Sequence, residues 1–294
     1  MSALQFIDRQ RTCHPVQQLC RVLGVVPSRY YAWRVAQAAA AEKAEPAWET
    51  EMLAVFDHHK RRYGTRRLRA ELRERGHRVG RQALRTGLRR HGRKALQPKS
   101  FVPRTTDSNH GRRCAPNLLL DQTRPTQANR VWVSDITCLP LASGAWAYLC
   151  AFQDACTRHV VGWQVRADMP EALVTSALQR ALLAQRPASG LIVHSDRGGQ
   201  YVGNAYKALL REAGGRLSHS RRGECYDNAQ VESLWSRLKT EELEARDWPV
   251  FADLADAQAS VAAYFDYYNH ERLHSSIGYL KPYQFHQQHL NNIT

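Results

Sequence analysis

The chain has 294 residues, 43% hydrophobic and 23% charged, with 42 Lys and Arg against 27 Asp and Glu, a formal net charge of +15. This is the make-up of a globular protein of two or three domains, and no apolar run is long enough to span a membrane. The opening MSALQFIDRQRTCH has no apolar stretch of the secretory kind, and seven cysteines without a C-x-x-C pair fit reduced thiols in a cytoplasm better than a disulfide framework or a zinc site.

The charge is unevenly placed. Residues 1–130 carry 27 basic and 10 acidic side chains, a net of +17, whereas residues 131–294 carry 15 and 17, a net of −2. Arginine outnumbers lysine, and its planar fork suits bidentate phosphate contact. A polyanion is therefore the expected partner of the first half; a basic surface that only aids solubility is the alternative.

In chain order, His14–Leu23 reads as a short helix with Val16, Leu19, Cys20 and Leu23 on one face. Gly24 ends it, and Ser28 is the expected cap of a second helix carrying Tyr30, Tyr31 and Trp33. Residues 1–49 thus form a helix-turn-helix or a plain helical hairpin. Residues 50–95 repeat the theme. Met52, Leu53, Val55 and Phe56 start one helix, Thr65 is placed to cap a second through Leu68 and Leu72, and Leu84 and Leu88 stripe a third. Arg66, Arg67, Arg69, Arg81, Arg85, Arg89, Arg90 and Arg93 decorate the last two helices as candidate DNA contacts. A solvated charged face would look similar.

Residues 96–127 contain Pro98, Pro103, Pro116 and Pro125 with little apolar periodicity, an extended, basic linker. From about residue 128 the pattern turns to β/α. Strands are predicted at Val131–Leu139, Trp146–Asp154, His159–Val165, Leu191–Ser195 and Arg216–Ser220, with helices at Pro170–Arg186, Asn204–Ala213 and Asn228–Glu244. The order βββ-α-β-α-β-α makes a mixed five-stranded sheet of α/β class, with a core over 128–245. Residues 246–294 add a helix with Leu254, Val261, Tyr264, Phe265 and Tyr268, which packs on that core or meets DNA or a second subunit.

Three carboxylates stand out. Asp135 interrupts Val-Trp-Val-Ser-Asp-Ile-Thr, where a charge is costly unless compensated. Asp196 closes the fourth strand before Arg197-Gly198-Gly199, and Glu232 lies early in the long helix. Each alone has a bland explanation, as a partner of a buried Arg, a turn cap or a complement to the helix N-terminus. Together they can converge as hard oxygen ligands for Mg²⁺ or Mn²⁺, two ions of which serve phosphoryl transfer. Lys239, seven residues past Glu232, shares its helix face and can reach a phosphate. Asp227 and Gln230 have capping-box spacing, so Asp227 is read as a helix start. Asp154 and His194 are weaker candidates, His194 as a packing residue. No phosphate-binding Gly-Lys-Ser/Thr loop is present.

The motifs around these positions resemble the DDE transposases and retroviral integrases, and most closely the transposases of the third insertion-sequence family. The resemblance is carried by Trp132–Thr137, His194–Tyr201, Ser220–Gly223 with Tyr226–Ala229 and Glu232-Ser233, and the 35 residues between Asp196 and Glu232. Tyr268-Asn269, Arg272, His274 and Gly278-Tyr279 extend it. It implies a ribonuclease-H-like core behind helix-turn-helix DNA-binding modules. Asp135, Asp196 and Glu232 would be the metal-binding catalytic set for DNA cleavage and strand transfer at the ends of an insertion sequence, with Lys239 touching DNA. It also implies assembly of at least a dimer on terminal inverted repeats, and a second-frame product whose upstream-frame partner supplies a further helix-turn-helix and leucine zipper. A nuclease that cuts without joining and a catalytically dead DNA-binding regulator are the rival readings.

Overall fold

The computed structural model describes residues 2–42, 46–98, 114–120, 125–221 and 228–291. Three helices open the chain: α1 (Ala3–Gln10), α2 (Val16–Val22) and α3 (Pro27–Glu42). Periodicity did not single out α1, yet it has a sequence signal. The Gln5 N–H donates to the Ser2 hydroxyl while the Gln5 side chain accepts from the Ser2 N–H, a capping box. Ile7, Cys20 and Tyr30 close the small core beneath these helices. α3 starts at Pro27, one residue before the anticipated Ser28 cap. Proline's fixed φ and absent N–H suit the first helical position.

A second helical unit comprises α4 (Ala47–His58), α5 (Thr65–Glu74) and α6 (Arg81–Arg90). Thr65 is not the cap but the first helical residue, and Gly64 precedes it as N-cap without a side-chain bond. Met52, Phe56, Leu68, Leu72, Leu84 and Leu88 form its core, and Leu273 from near the C-terminus completes it. Of the linker, residues 99–113 and 121–124 lie outside the described residues. Its described part is docked rather than extended, since the Ala115 N–H donates to His219 Nδ1 at 2.8 Å and the Leu118 N–H to Ser218 Oγ at 2.9 Å.

The sheet contains β1 (Val131–Pro140), β2 (Trp146–Asp154), β3 (Val160–Arg166), β4 (Ile192–Ser195) and β5 (Arg216–His219) in the order β3-β2-β1-β4-β5. β1 pairs antiparallel with β2 and parallel with β4, and β5 runs parallel to β4. This is the mixed, ribonuclease-H-like sheet that the resemblance implied. On one face lie α7 (Glu171–Gln185) and α8 (Asn204–Glu212), packed on Trp132, Cys150, Phe152 and Val193. α7 approaches β3 so closely that a Cβ at Gly162 would stand 2.6 Å from the Ala181 methyl. On the other face α9 (Ala229–Leu238) and α10 (Leu254–His270) cover Val131, Val133, Leu139 and Ala151. α10 therefore packs on the core through Val261, Tyr264, Phe265 and Tyr268. α11 (Pro282–Asn291) follows it.

The long helix expected over 228–244 is interrupted. α9 stops at Leu238 and the chain continues as a π-helical turn, Lys239–Leu243. The wider turn brings Glu241 inward, where its carboxylate accepts from Arg272 Nε at 2.8 Å and from the Tyr264 hydroxyl at 3.1 Å. A buried ion pair of this kind overrides the preference for regular α-helix.

Candidate active site

Alternation along β1 settles where Asp135 sits. Val131, Val133 and Leu139 face the α9–α10 side, and Asp135 falls in the same row. It therefore occupies a position where the strand otherwise buries hydrocarbon. One oxygen is accounted for, because Trp235 Nε1 on α9 donates to Asp135 Oδ2 at 3.0 Å. Register places the second carboxylate. Ser134 pairs with Ser195 across the parallel β1–β4 ladder, so Asp135 and Asp196 are the next residues on adjacent strands. Asp196 leaves the strand in a tight turn whose Gly198 N–H donates to Asp196 Oδ1 at 3.0 Å. A Cβ at Gly198 would meet that oxygen at 3.1 Å, so glycine lets the backbone close on the carboxylate. Glu232 is exposed in the first turn of α9, on the helix that Trp235 ties to Asp135.

Electrostatics links the three. Withdrawal from water pushes the Asp135 carboxyl up to about 8, the negative charge of Asp196 adds to the rise, and Glu232 contributes less. The Ile136 N–H and the Trp235 indole pull in the other direction. Among the described residues no three His, Cys, Asp or Glu side chains stand close enough to hold one ion. The Asp196 charge acts on Asp135 more strongly than that of Glu232. Hard carboxylate oxygens whose charges repel one another are a donor set that a divalent cation relieves. Lys239 opens the π-turn, half-buried; burial pushes its ammonium down against the opposing pull of Cys138 and Asp135.

The weaker candidates resolve as structural. Asp154 accepts from the N–H groups of Asn129, Cys156 and Thr157 and from the Thr157 hydroxyl, organising the turn after β2. His194 is buried between the Ser218 and Ser220 hydroxyls at 2.8 and 3.1 Å. Asp227 lies outside the described residues, and Asn228 occupies the N-cap position of α9.

The arginines divide into two groups. Arg66, Arg69, Arg81, Arg85 and Arg89 are exposed, with no partner among the described residues. Arg81, Arg85 and Arg89 recur every four residues along α6, in a row that flanks the buried Leu84–Leu88 stripe. Arg67 departs from the expectation of a DNA contact: it is drawn inward and its Nε donates to the Leu273 carbonyl at 2.9 Å. Arg90 pairs with buried Glu49 at 2.9 Å and Arg93 with exposed Asp57 at 3.1 Å. The α4–α6 unit is bound firmly to the core. Arg62 donates to the Glu241 carbonyl and the Glu242 carboxylate, and the Tyr63 hydroxyl accepts from the Leu273 N–H at 2.7 Å. His59 lies between Tyr267 and Glu71.

Known proteins resemble the chain over most of its length. The integrase core domain family matches residues 125–225 and again 213–282, and an HTH-like domain family matches residues 45–101. The chain is 37% identical over 272 residues to an uncharacterized 31 kDa protein of insertion element IS600 from Shigella sonnei, covering 92% of this chain and 98% of that protein. It is 35% identical over 288 residues to the transposase InsF for insertion sequence IS3A from Escherichia coli (strain K12), covering 97% and 98%. The chain belongs to the IS3 family of DDE transposases. Among solved structures, the catalytic core domain of BIV integrase aligns at a TM-score of 0.42 with 18% identity, over 56% of the transposase and 98% of that chain.

The transposase is thus an enzyme of the DDE transposase and integrase type, and no helix among its described residues is long and apolar enough to cross a membrane. Sequence reasoning missed Trp235 and the Glu241–Arg272 pair. A tryptophan on an amphipathic helix reads as core, and only the fold brings its N–H to a carboxylate 100 residues away. Arg272 was singled out through the resemblance alone; nothing in its neighbourhood announced Glu241.

Proposed function

We propose that Asp135, Asp196 and Glu232 are the catalytic carboxylates of the transposase, holding two divalent cations, Mg²⁺ or Mn²⁺, for cleavage and strand transfer at the ends of an insertion sequence. The observation that carries this reading is the position of Asp135, a carboxylate in an apolar row of β1, beside Asp196 and under the electrostatic influence of Glu232. When bound, the ions would lower the charge around an attacked phosphate and the oxygens entering and leaving it. The protein residues supply position. Asp135 and Asp196 are fixed by strand register and by their hydrogen bonds, and the exposed Glu232 closes the set once cations and DNA are present. Lys239, at the edge of the same site, would grip a phosphate near the reacting strand.

Arg66, Arg69, Arg81, Arg85 and Arg89 would hold double-stranded DNA, the terminal inverted repeats and flanking sequence. Because the α4–α6 unit is joined to the core through Arg62, Tyr63 and Arg67, DNA on the arginine face is presented to the carboxylates in a set geometry. Two ends must meet for strand transfer, so a dimer or larger assembly on DNA follows from the reaction. An upstream-frame partner with a leucine zipper and a nucleoid-associated cytoplasmic location belong to the same proposal.

Joining separates this function from hydrolysis alone. Given a pre-cut 3′-hydroxyl element end, a plasmid and Mg²⁺, the transposase should yield covalently joined product; nicking without joining would assign a nuclease. Replacing Arg85 and Arg89 together by Ala should weaken end binding and lower the slope of log affinity against log salt by about 2, roughly one per lost phosphate contact. Measured binding isotherms at several salt concentrations check this, and an unchanged slope would remove α6 from the DNA interface.

A further inference from the structure

Trp235 is buried in the cluster between β1, α9 and α10, 6% exposed, yet its one polar atom is spent on a charged residue. The indole N–H is a donor only, and it points at Asp135 Oδ2 from 3.0 Å. Seven residues earlier on the same side of the helix, Asn228 Nδ2 donates to the Ser134 carbonyl at 3.1 Å. α9 is thereby registered against β1 at two consecutive residues, with Glu232 lying between the two contacts on the same helix.

We infer that Trp235 is a positioning residue of the active site: its N–H holds Asp135 Oδ2, which would leave Oδ1 to a cation, and locks Asp135 to the helix that carries Glu232. The inference rests on the proposal that Asp135 is a cation ligand. A carboxylate in that position can rotate about its last bond, and an ion bound by a rotating ligand is bound weakly. A hydrogen bond from the surrounding shell removes that freedom, and losses of 10- to 100-fold in metal affinity are usual when such a bond is deleted. A tryptophan serving only as apolar filling would have no need of a donor aimed at this oxygen, and phenylalanine would then replace it with little effect on the ion.

The test is Trp235→Phe in the full chain, with thermal unfolding to establish that it folds. The half-saturating Mg²⁺ concentration for joining a pre-cut end should rise about 10-fold, while the rate at saturating Mg²⁺ stays within about threefold of the wild type. Independently, in ¹⁵N-indole-labelled wild type the Trp235 N–H resonance should move on titration with Mg²⁺ alone, and should be displaced in Asp135→Asn. An unaltered Mg²⁺ dependence in folded Trp235→Phe, or an indole resonance indifferent to both Mg²⁺ and Asp135→Asn, overturns the inference. Should Trp235→Phe fail to fold, the wild-type resonance decides alone. If Asp135→Asn itself joins ends at the wild-type rate, the cation-ligand proposal fails instead, which keeps the two failures distinguishable.

Discussion

Asp196→Asn, Asp135→Asn and Glu232→Gln should each lower strand cleavage and joining by about 10³-fold or more while element ends are still bound. Each substitution keeps the size of the side chain and removes its charge. At Asp196 the amide can still accept from the Gly198 N–H through its oxygen, so the turn after β4 survives and the loss is chemical. At Asp135 the same holds for the Trp235 contact. Binding persists because the exposed arginines of α5 and α6 are distant in sequence and touch none of the three carboxylates. Gel shifts on an end fragment beside a cleavage assay separate the two properties. Loss of both together in a folded variant would mean that these residues serve binding or architecture.

Arg272→Ala should be the most destabilising single change outside the sheet. Arg272 is 1% exposed, its partner Glu241 is 7% exposed, and two hydrogen bonds join them. Deleting the guanidinium leaves a carboxylate buried without a cation, a cost of about 3–5 kcal/mol. For a domain of this size that corresponds to roughly 10 °C of melting temperature. Replacing both partners by apolar residues, Arg272→Met with Glu241→Leu, should recover a large part of the loss, because the penalty comes from the orphaned charge and not from the missing attraction. The damage should also reach the site. Glu241 lies in the π-turn that begins at Lys239, and Arg62 of the helical unit donates to the Glu241 carbonyl. Differential scanning calorimetry of the single and double variants tests the first point. If the double variant is as unstable as Arg272→Ala, orphaned charge is not the cause.

The sheet was legible because its strands carry their signals locally. Trp146–Asp154 is located to the residue by its run of aromatic and apolar side chains, Trp146, Tyr148, Leu149 and Phe152. Asp135 and Asp196 could be found for a related reason: an acid inside an apolar strand and an acid at a strand end before glycines contradict their surroundings. The 35-residue interval to Glu232 then made the set recognisable. What stayed hidden depends on contacts between distant segments. The π-turn at Lys239–Leu243 exists because Glu241 is drawn to Arg272, 31 residues on, and no periodicity before position 244 encodes that. Arg67 looked like its exposed neighbours Arg66 and Arg69, and only the Leu273 carbonyl distinguishes it. The Thr65 and Ser28 caps failed for a local reason, since Gly64 and Pro27 are equally good helix starters one residue earlier.

As proposed, Asp135 is a half-buried carboxylate held beside Asp196 to receive a cation. Thermal unfolding of the wild type and Asp135→Asn at pH 8, where the Asp135 carboxyl, pushed up to about 8, is half ionised, tests it with and without Mg²⁺. A carboxyl raised in the folded state loses stability as pH climbs toward that value, so without Mg²⁺ the Asn variant should melt above the wild type. Mg²⁺ should then raise the wild type and leave the variant where it was. A variant that melts below the wild type without Mg²⁺, with both gaining equally when Mg²⁺ is added, would contradict the account.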